Sequence, residues 1–290
     1  MNKKLYPEDY LEPECPLCMN EDSKEKIPVN RIINKYDEFI NRDNKAAALN
    51  LLKYWYNEAR FLKDYQGMLV ILNELMGYYR INGELELALA KATEAKALVD
   101  KLYCEKDSLS FATTYLNIAT VYKAASKSDE AIPLYEITKK IYEENLNQND
   151  SRLAGLYNNM GLALVDEKRY DEATTLYNKA ILINDATNNQ LDSAITILNI
   201  ATMIEKKDGL ENGEKYIIEL LEKAMQILDS KKETNDGYYA FVCSKCSSVY
   251  SYYGYFLYAN ELTERAKRIY ERSWIIKSLL WSLWKTNDSW

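Results

Sequence analysis

The sequence predicts an all-α protein, a solenoid of about six helical hairpins stacked one on the next. Apolar residues recur at helical spacing along most of the chain, and similar segments return at intervals of about 42 residues. Four of the five prolines lie within the first 28 residues, so later helices can run with few breaks. A chain of 290 residues is too long for one compact helical core. A hairpin cannot bury its apolar face alone, but stacked neighbours bury it for one another.

Comparison of the chain with itself defines the repeat. Three near-copies of one first-helix segment carry an asparagine at the same place. They are "TYLNIATVY" (114–122), "LYNNMGLAL" (156–164) and "TILNIATMI" (196–204). Ala131 and Ala173 are 42 residues apart, as are Tyr135 and Tyr177, so the second helices repeat in the same register. The unit is therefore a pair of helices, each with one apolar face.

The order of segments along the chain follows from this repeat. Residues 1–27, which are rich in proline, are expected to form an extended N-terminal arm. The repeat domain is expected over residues 28–272, and residues 273–290 are expected to be the C-terminal end of the last helix and to cap the solenoid. The six hairpins are predicted over residues 28–62, 67–103, 109–145, 151–186, 191–230 and 237–285. We expect an insertion, 208–214, in the turn of the fifth hairpin and a late second helix, from about residue 264, in the sixth.

Composition narrows the function. The chain has 37 Lys and Arg against 44 Asp and Glu, a net charge of -7, which disfavours binding to nucleic acid or to an acidic membrane. It has no histidine and no phosphate-binding glycine motif, so an enzyme is the least favoured class and no cofactor is expected. The N-terminal residues lack the apolar core of a secretory signal, and no apolar run is long enough to span a membrane. A cytoplasmic location is therefore expected.

Two segments carry a resemblance to a known family. "GLALVDEKRYDEATTLYNKA" (161–180) and "ATVYKAASKSDEAIPLYEIT" (119–138) resemble the tetratricopeptide repeat, although Thr138 replaces the final alanine in the second. The period exceeds the usual length of about 34 residues and is similar to that of kinesin light chains and of bacterial peptide-sensing regulators. The resemblance implies a right-handed solenoid whose first helices line a concave groove. In such proteins the groove binds a peptide or protein segment, without catalysis.

The recurring asparagines lie inside helices, where a side-chain amide competes with the backbone and needs a reason to be present. Asn117, Asn159 and Asn199 are predicted to lie on the groove side of the first helices. They would either bind the backbone of an extended peptide or link neighbouring repeats, and the sequence leaves both open. The predicted peptide-binding residues are Asn73, Arg80, Asn117, Thr120, Lys123, Asn158, Asn159, Asn199, Thr202 and Lys245. The three cations among them would pair with a ligand carboxylate or be solvated surface charges.

Two CxxC pairs, Cys15 with Cys18 and Cys243 with Cys246, have the local spacing of metal ligands. Four thiolates would bind zinc if the arm crossed the solenoid. However, 224 residues lie between the two pairs, far from the ordinary spacing, so no metal site is favoured. A redox pair at the N-terminus and inert buried thiols are the alternatives.

The C-terminal segment "WIIKSLLWSLW" (274–284) is too short to span a bilayer. Trp274 and Trp281 lie seven residues apart on the side away from its apolar half, and their exposure would indicate self-association. The sequence favours a scaffold that binds a protein or peptide segment of unknown identity. A signalling regulator gated by a peptide, and a zinc-stabilised or redox-responsive structural protein, are the alternatives.

Overall fold

A computed structural model describes residues 26–41, 44–102, 108–232 and 237–287, with the side chains of the last helix up to Glu271. These residues form twelve α-helices and no strand, which confirms the predicted all-α class. The helices are α1 (Val29–Asn41), α2 (Lys45–Phe61), α3 (Tyr65–Ile81), α4 (Leu85–Leu102), α5 (Leu109–Ala124), α6 (Ser128–Asn145), α7 (Ser151–Asp166), α8 (Tyr170–Ala186), α9 (Gln190–Asp208), α10 (Leu210–Ser230), α11 (Gly237–Tyr252) and α12 (Phe256–Asn287). The expected arm lies almost wholly outside the described residues, so its extended form stays a prediction.

The helices follow one another as six hairpins, and each predicted hairpin corresponds to one consecutive pair. In hairpins two to six, the turn between the two helices holds one residue with a left-handed backbone, as is common where a helix ends. These residues are Gly83, Ser126, Lys168, Gly209 and Gly254, with φ angles of 78°, 59°, 60°, 80° and 83°. Because they mark the same point in each hairpin, they give a structural reference for aligning the repeats.

Two expectations about the later hairpins differ from the structure. The insertion at 208–214 does not widen its turn, because longer helices absorb it. α9 ends at Asp208, α10 begins at Leu210, and Gly209 alone connects them. In the sixth hairpin, α12 begins at Phe256 rather than near residue 264, directly after the turn at Gly254. Since α12 begins two residues after its turn residue, as α4, α6 and α8 do, the extra residues of this hairpin lie toward the end of its second helix.

The chain divides into two compact units. Unit 1 is Met1–Asp37 with Lys45–Ile183, and unit 2 is Glu38–Asn44 with Asn184–Trp290. Within unit 1, the first helices α3, α5 and α7 contact one another in turn, and each packs against the second helix of the hairpin before it. Within unit 2, the first helices α9 and α11 are likewise in contact. The first helices of neighbouring hairpins thus form one continuous face in each unit.

Alanine and tyrosine fill the space between the two helices of a hairpin. Ala131 and Ala173 are fully buried at equivalent places, and so are Tyr135 and Tyr177. A Cβ atom at Gly161 would lie only 2.6 Å from Cε1 of Tyr177, so α7 approaches α8 closely because this position has no side chain. Small residues on one helix therefore make room for the tyrosine rings of the other.

Candidate functional site

A row of half-buried polar side chains runs across α3, α5 and α7 of unit 1, and we call it the first-helix face. It comprises Asn73, Arg80, Asn117, Thr120, Lys123, Asn158 and Asn159. Each of the three helices begins after a side chain that accepts a hydrogen bond from a backbone N–H, namely Asp64, Ser108 or Asp150. These caps fix where each helix starts and so which residues it presents. Seven of the ten predicted binding residues lie on this face, and the other three belong to unit 2.

A side-chain ladder joins α3 to α5 on the first-helix face. Nδ2 of Asn117 donates to Oδ1 of Asn73 at 3.1 Å, and Nδ2 of Asn73 donates to Oγ1 of Thr114 at 3.2 Å. Asn117 therefore links neighbouring hairpins, as one of its two sequence-based interpretations proposes. Its partner is not the equivalent residue of the previous repeat, which is Glu74, but the residue beside it. The repeat alignment alone therefore does not identify Asn73 as the partner of Asn117.

The next amides along the face are those of Asn158 and Asn159 on α7. Nδ2 of Asn158 lies 3.5 Å from Oδ1 of Asn159 on the same helix, which is at the outer limit of a hydrogen bond. Within the described part of the chain, Oδ1 of Asn117 and Nδ2 of Asn159 have no hydrogen-bond partner. One is an acceptor and the other a donor, and they lie on helices that contact each other. The face therefore keeps amide groups available to a ligand beside the ladder.

The two cations of the face have different surroundings. Nζ of Lys123 lies 3.6 Å from Oδ2 of Asp166, which also accepts a 3.1 Å hydrogen bond from Oγ of Ser128. Arg80 makes no ion pair within the described residues. Desolvation lowers its pKa, and the only titratable group whose charge acts on it there is Tyr135. One cation is thus neutralised by the chain, and the other is not.

The tyrosines behind the face are not equivalent either. The hydroxyl of Tyr135 donates to Oγ1 of Thr120 at 3.2 Å, and burial raises its pKa to about 12. The equivalent Tyr177 is buried, and its hydroxyl has no partner among the described groups. Leu162 occupies the place that corresponds to Thr120 in this repeat, which explains the difference. Burial also raises the pKa of Tyr177, so its hydroxyl stays protonated.

Glu74 is half-buried beside the first-helix face and is not among the ten predicted binding residues. It stands at the repeat position of Asn117 and Asn159. Burial, together with the smaller effect of the neighbouring Asp37 charge on α1, raises the pKa of its carboxyl to about 7. The only sequence signal for Glu74 is a carboxylate at a repeat position that otherwise holds asparagine. The repeat pattern does not reveal that Asp37 lies nearby.

The three predicted residues of unit 2 have close polar neighbours. Oγ1 of Thr202 donates to the backbone oxygen of Leu198 at 3.2 Å, and Asn199 is half-buried beside it. Lys245 is exposed, and its Nζ lies 5.6 Å from the ring centre of Phe241. Burial raises the pKa of Asp192, and a hydrogen bond from Tyr238 and then the charge of Lys245 oppose this effect. Lys245 is therefore less available to an external carboxylate than Arg80.

A tyrosine clamp in unit 2 was not predicted. Tyr252 and Tyr253, at the end of α11, donate hydrogen bonds of 2.5 and 2.8 Å to the two carboxylate oxygens of Glu205 on α9. The sequence shows a crowd of tyrosines here but not which of them are buried. Tyr239 and Tyr250 are fully buried, and the clamp uses the two that lie at the helix end. The clamp joins the first helices of the fifth and sixth hairpins.

The two described cysteines are buried free thiols. Cys243 and Cys246 lie in the core of unit 2, and burial raises the pKa of both, that of Cys246 to about 12. Within the described residues, no group of three or more histidine, cysteine or acidic side chains is placed to hold a metal ion. Cys15 and Cys18 lie outside the described residues, so a zinc site shared by the two pairs stays an alternative that the sequence does not favour. The side chains of Trp274 and Trp281 are also outside the described part, so the predicted self-association through them stays a prediction.

Solved structures of helical repeat proteins share this fold. The chain is similar to a Rap protein complexed with Competence and Sporulation Factor, with a TM-score of 0.60 and 13% identity, over 86% of this chain and 66% of that one. It is similar to BtubC (BKLC) from P. vanneervenii, with a TM-score of 0.50 and 18% identity, over 84% of this chain and 91% of that one. A putative kinesin light chain of Podosopora anserina with nearly identical TPR-like repeats gives a TM-score of 0.48 and 18% identity, over 70% of this chain and 94% of that one.

No protein-family model matches the sequence, and neither does any curated protein. The structural likenesses establish the fold: the chain is a tetratricopeptide-like helical repeat protein. The resemblance carried by residues 119–138 and 161–180 is therefore confirmed at the level of fold. None of the helices that the structure describes is both long and apolar enough to cross a membrane.

Proposed function

We propose that this chain is a scaffold that binds an extended peptide or protein segment across the first-helix face of unit 1. The observation that carries the proposal is a pair of amide atoms, Oδ1 of Asn117 and Nδ2 of Asn159, on the adjacent helices α5 and α7. Neither atom has a hydrogen-bond partner among the described residues. An extended backbone offers an N–H donor and a C=O acceptor in alternation, and an asparagine amide can satisfy either. The proposal assigns Asn117 two roles, one toward Asn73 and one toward the ligand.

The surroundings of these amides support the proposal. The side chains of the face are half-buried rather than fully solvated, so hydrogen bonds made there are partly shielded from water. In the family that the repeats resemble, the first helices line the groove that holds the ligand. The Rap protein of similar fold was solved with Competence and Sporulation Factor bound.

A library of random twelve-residue peptides displayed on phage tests the proposal without knowledge of the natural partner. The wild-type protein is expected to enrich peptides that bind in solution. The double variant Asn117→Ala with Asn159→Ala is expected to weaken their binding, by about two- to tenfold for each hydrogen bond lost. Asn178→Ala is the matched control, because Asn178 is an exposed asparagine on the second helix α8. Equal affinity of wild type and double variant for the enriched peptides would overturn the proposal.

A regulator gated by a peptide is the second candidate, favoured by the likeness to the Rap protein. A gated regulator needs two conformations that the ligand binds with different affinity. Small-angle scattering with and without an enriched peptide separates the two functions. A change in the radius of gyration on binding supports gating, and an unchanged radius supports a rigid scaffold.

A further inference from the structure

The exposed side of α2 in unit 1 presents cations and aromatic rings together. Lys53, Asn57 and Arg60 are exposed at spacings of four and three residues, so they form one row along the helix. Tyr54 and Phe61 lie beside this row, with 56% and 82% of their surfaces exposed. We call these five residues the α2 surface. Large exposed rings grouped with charges are typical of a surface that a partner segment covers.

The α2 surface is positively charged and largely without counter-ions. Among the described residues, Lys53 and Arg60 form no ion pair. Burial lowers the pKa of Lys91 on α4, and the charges of Arg60 and Lys53 lower it further, so the three cations lie close together. Lys91 pairs with Glu94 at 3.0 Å, and Glu58, the one acidic residue of α2, is half-buried outside the row. Only one of these three cations thus has a carboxylate partner within the described chain.

The N-terminal end of the described chain is fixed next to this surface. The backbone N–H of Ile27 donates a 3.0 Å hydrogen bond to Oδ2 of Asp64, and the Ile27 side chain is buried. Asp64 follows Phe61, the last residue of α2, by three residues. Residues 1–25 are therefore tethered at the end of α2 where the most exposed ring of the surface lies.

Residues 5–14 have a composition that complements the α2 surface. They include four acidic residues and no basic one, together with two tyrosines and two leucines. Eleven residues separate Glu14 from Lys26, and eleven extended residues span up to about 36 Å. α2 has 17 residues and is therefore about 25 Å long. The segment can thus reach every part of the α2 surface, and its tether gives it a high effective concentration there.

We infer that residues 5–14 dock on the α2 surface of their own chain. Their carboxylates pair with Lys53 and Arg60, and their tyrosine and leucine side chains cover the exposed rings of Tyr54 and Phe61. Exposed ion pairs are individually weak, so the tether and the apolar contacts supply what the charges alone do not. The contact lies on a second helix. It neither uses the first-helix face nor depends on the proposed peptide-binding function.

Carbodiimide cross-linking of the full chain, read by mass spectrometry, tests this contact. The reagent joins a carboxylate to a lysine amine only where the two groups touch, so Lys53 and Lys91 serve as reporters. We expect Lys53, and to a lesser extent the paired Lys91, to be joined to the acidic residues of the segment, namely Glu8, Asp9, Glu12 and Glu14. The ion pair between Lys91 and Glu94 supplies an internal reference for the extent of reaction. An equal mixture of unlabelled and nitrogen-15-labelled chains separates links within one chain from links between two.

The double variant Arg60→Glu with Phe61→Ser keeps both reporter lysines and should lower the yield of these links about fivefold or more. Lys215→Glu with Tyr216→Ser is the matched control. It also alters an exposed cation followed by an exposed ring on a second helix, α10, with the same change in net charge. The control should retain the yield of the wild-type protein.

Tyr10→Ser with Leu11→Ser alters the segment instead, keeps its four carboxylates and leaves every described residue unchanged. It should lower the yield as the first double variant does. Links from Lys53 that join unlabelled to labelled chains would assign the α2 surface to a second copy and overturn the inference. The absence of links to residues 5–14, or a yield that neither double variant lowers, would overturn it as well.

Discussion

The hydroxyl of Tyr157 on α7 donates a 2.8 Å hydrogen bond to Oε1 of Glu143 on α6, and so joins two consecutive hairpins of unit 1. Nζ of Lys179 lies 5.3 Å from the centre of the Tyr157 ring and 3.6 Å from the same carboxylate oxygen. One junction earlier, a similar set of tyrosine, carboxylate and lysine is formed by Tyr115, Asp100 and Lys96. A triad of tyrosine, carboxylate and lysine therefore joins α7 to α6 and α5 to α4, with its lysine on α8 in the first case and on α4 in the second.

Tyr157→Phe is expected to lower the free energy of unfolding by about 1–2 kcal/mol, because a hydrogen bond to a charged carboxylate is lost while the ring still packs. Urea denaturation measures the change. Tyr54→Phe is the control, since Tyr54 is an exposed tyrosine on α2. If the two variants are equally stable, the triad makes no net contribution.

Two glycines of α7 should respond to alanine with opposite signs. A Cβ at Gly161 would meet the Tyr177 ring at 2.6 Å, so Gly161→Ala is expected to destabilise by about 1–3 kcal/mol through overpacking. A Cβ at Gly155 would meet nothing within 4 Å, so Gly155→Ala should stabilise by about 0.5–1 kcal/mol through helix propensity. Thermal melts of the two variants compare them directly. A stabilising Gly161→Ala would show that α7 and α8 are not packed this closely.

Alanine variants of the asparagines on the first-helix face should differ in their free energy of unfolding. Asn117→Ala removes the donor to Asn73, and the lost bond is expected to outweigh the better helix propensity of alanine, with a net loss of about 0.5–1 kcal/mol. Asn159→Ala removes only a 3.5 Å contact and should hold or gain several tenths of a kcal/mol. Chemical denaturation of the unliganded variants distinguishes the two. Equal losses would mean that Asn159 is also a structural link.

Glu74 predicts a dependence of stability on pH. Its pKa is raised to about 7 in the folded protein, against about 4.3 for an unfolded glutamate, because burial disfavours the charged form. The contribution of the protonated carboxyl is therefore complete below about pH 4.3 and is lost as the pH rises through 7.

Glu74→Gln is uncharged at every pH, so it should gain about 1–3 kcal/mol on wild type between pH 5 and pH 8. Denaturation at the two pH values measures the difference. Glu144→Gln, at an exposed position on α6, should show no such gain. A constant difference between Glu74→Gln and wild type across this range would rule out titration of Glu74.

The sequence by itself determined the repeat. Ala131 and Ala173, and Tyr135 and Tyr177, recur at 42 residues because each hairpin must bury the same ring beside the same small residue. This burial repeats wherever the packing repeats, so the chain records it as a period. The first-helix position of Asn117 and Asn159 follows from the same periodicity.

Only the tertiary structure decided what these residues contact. Asn117 bonds to Asn73 rather than to Glu74, the residue at the equivalent position. The spacing between successive first helices is 43 residues at one junction and 42 at the next, as the turn residues Gly83, Ser126 and Lys168 show. A shift of one residue rotates a helix position by about 100°. Which side chains meet across two helices therefore depends on how the helices are rotated against each other. The sequence pattern does not give that rotation.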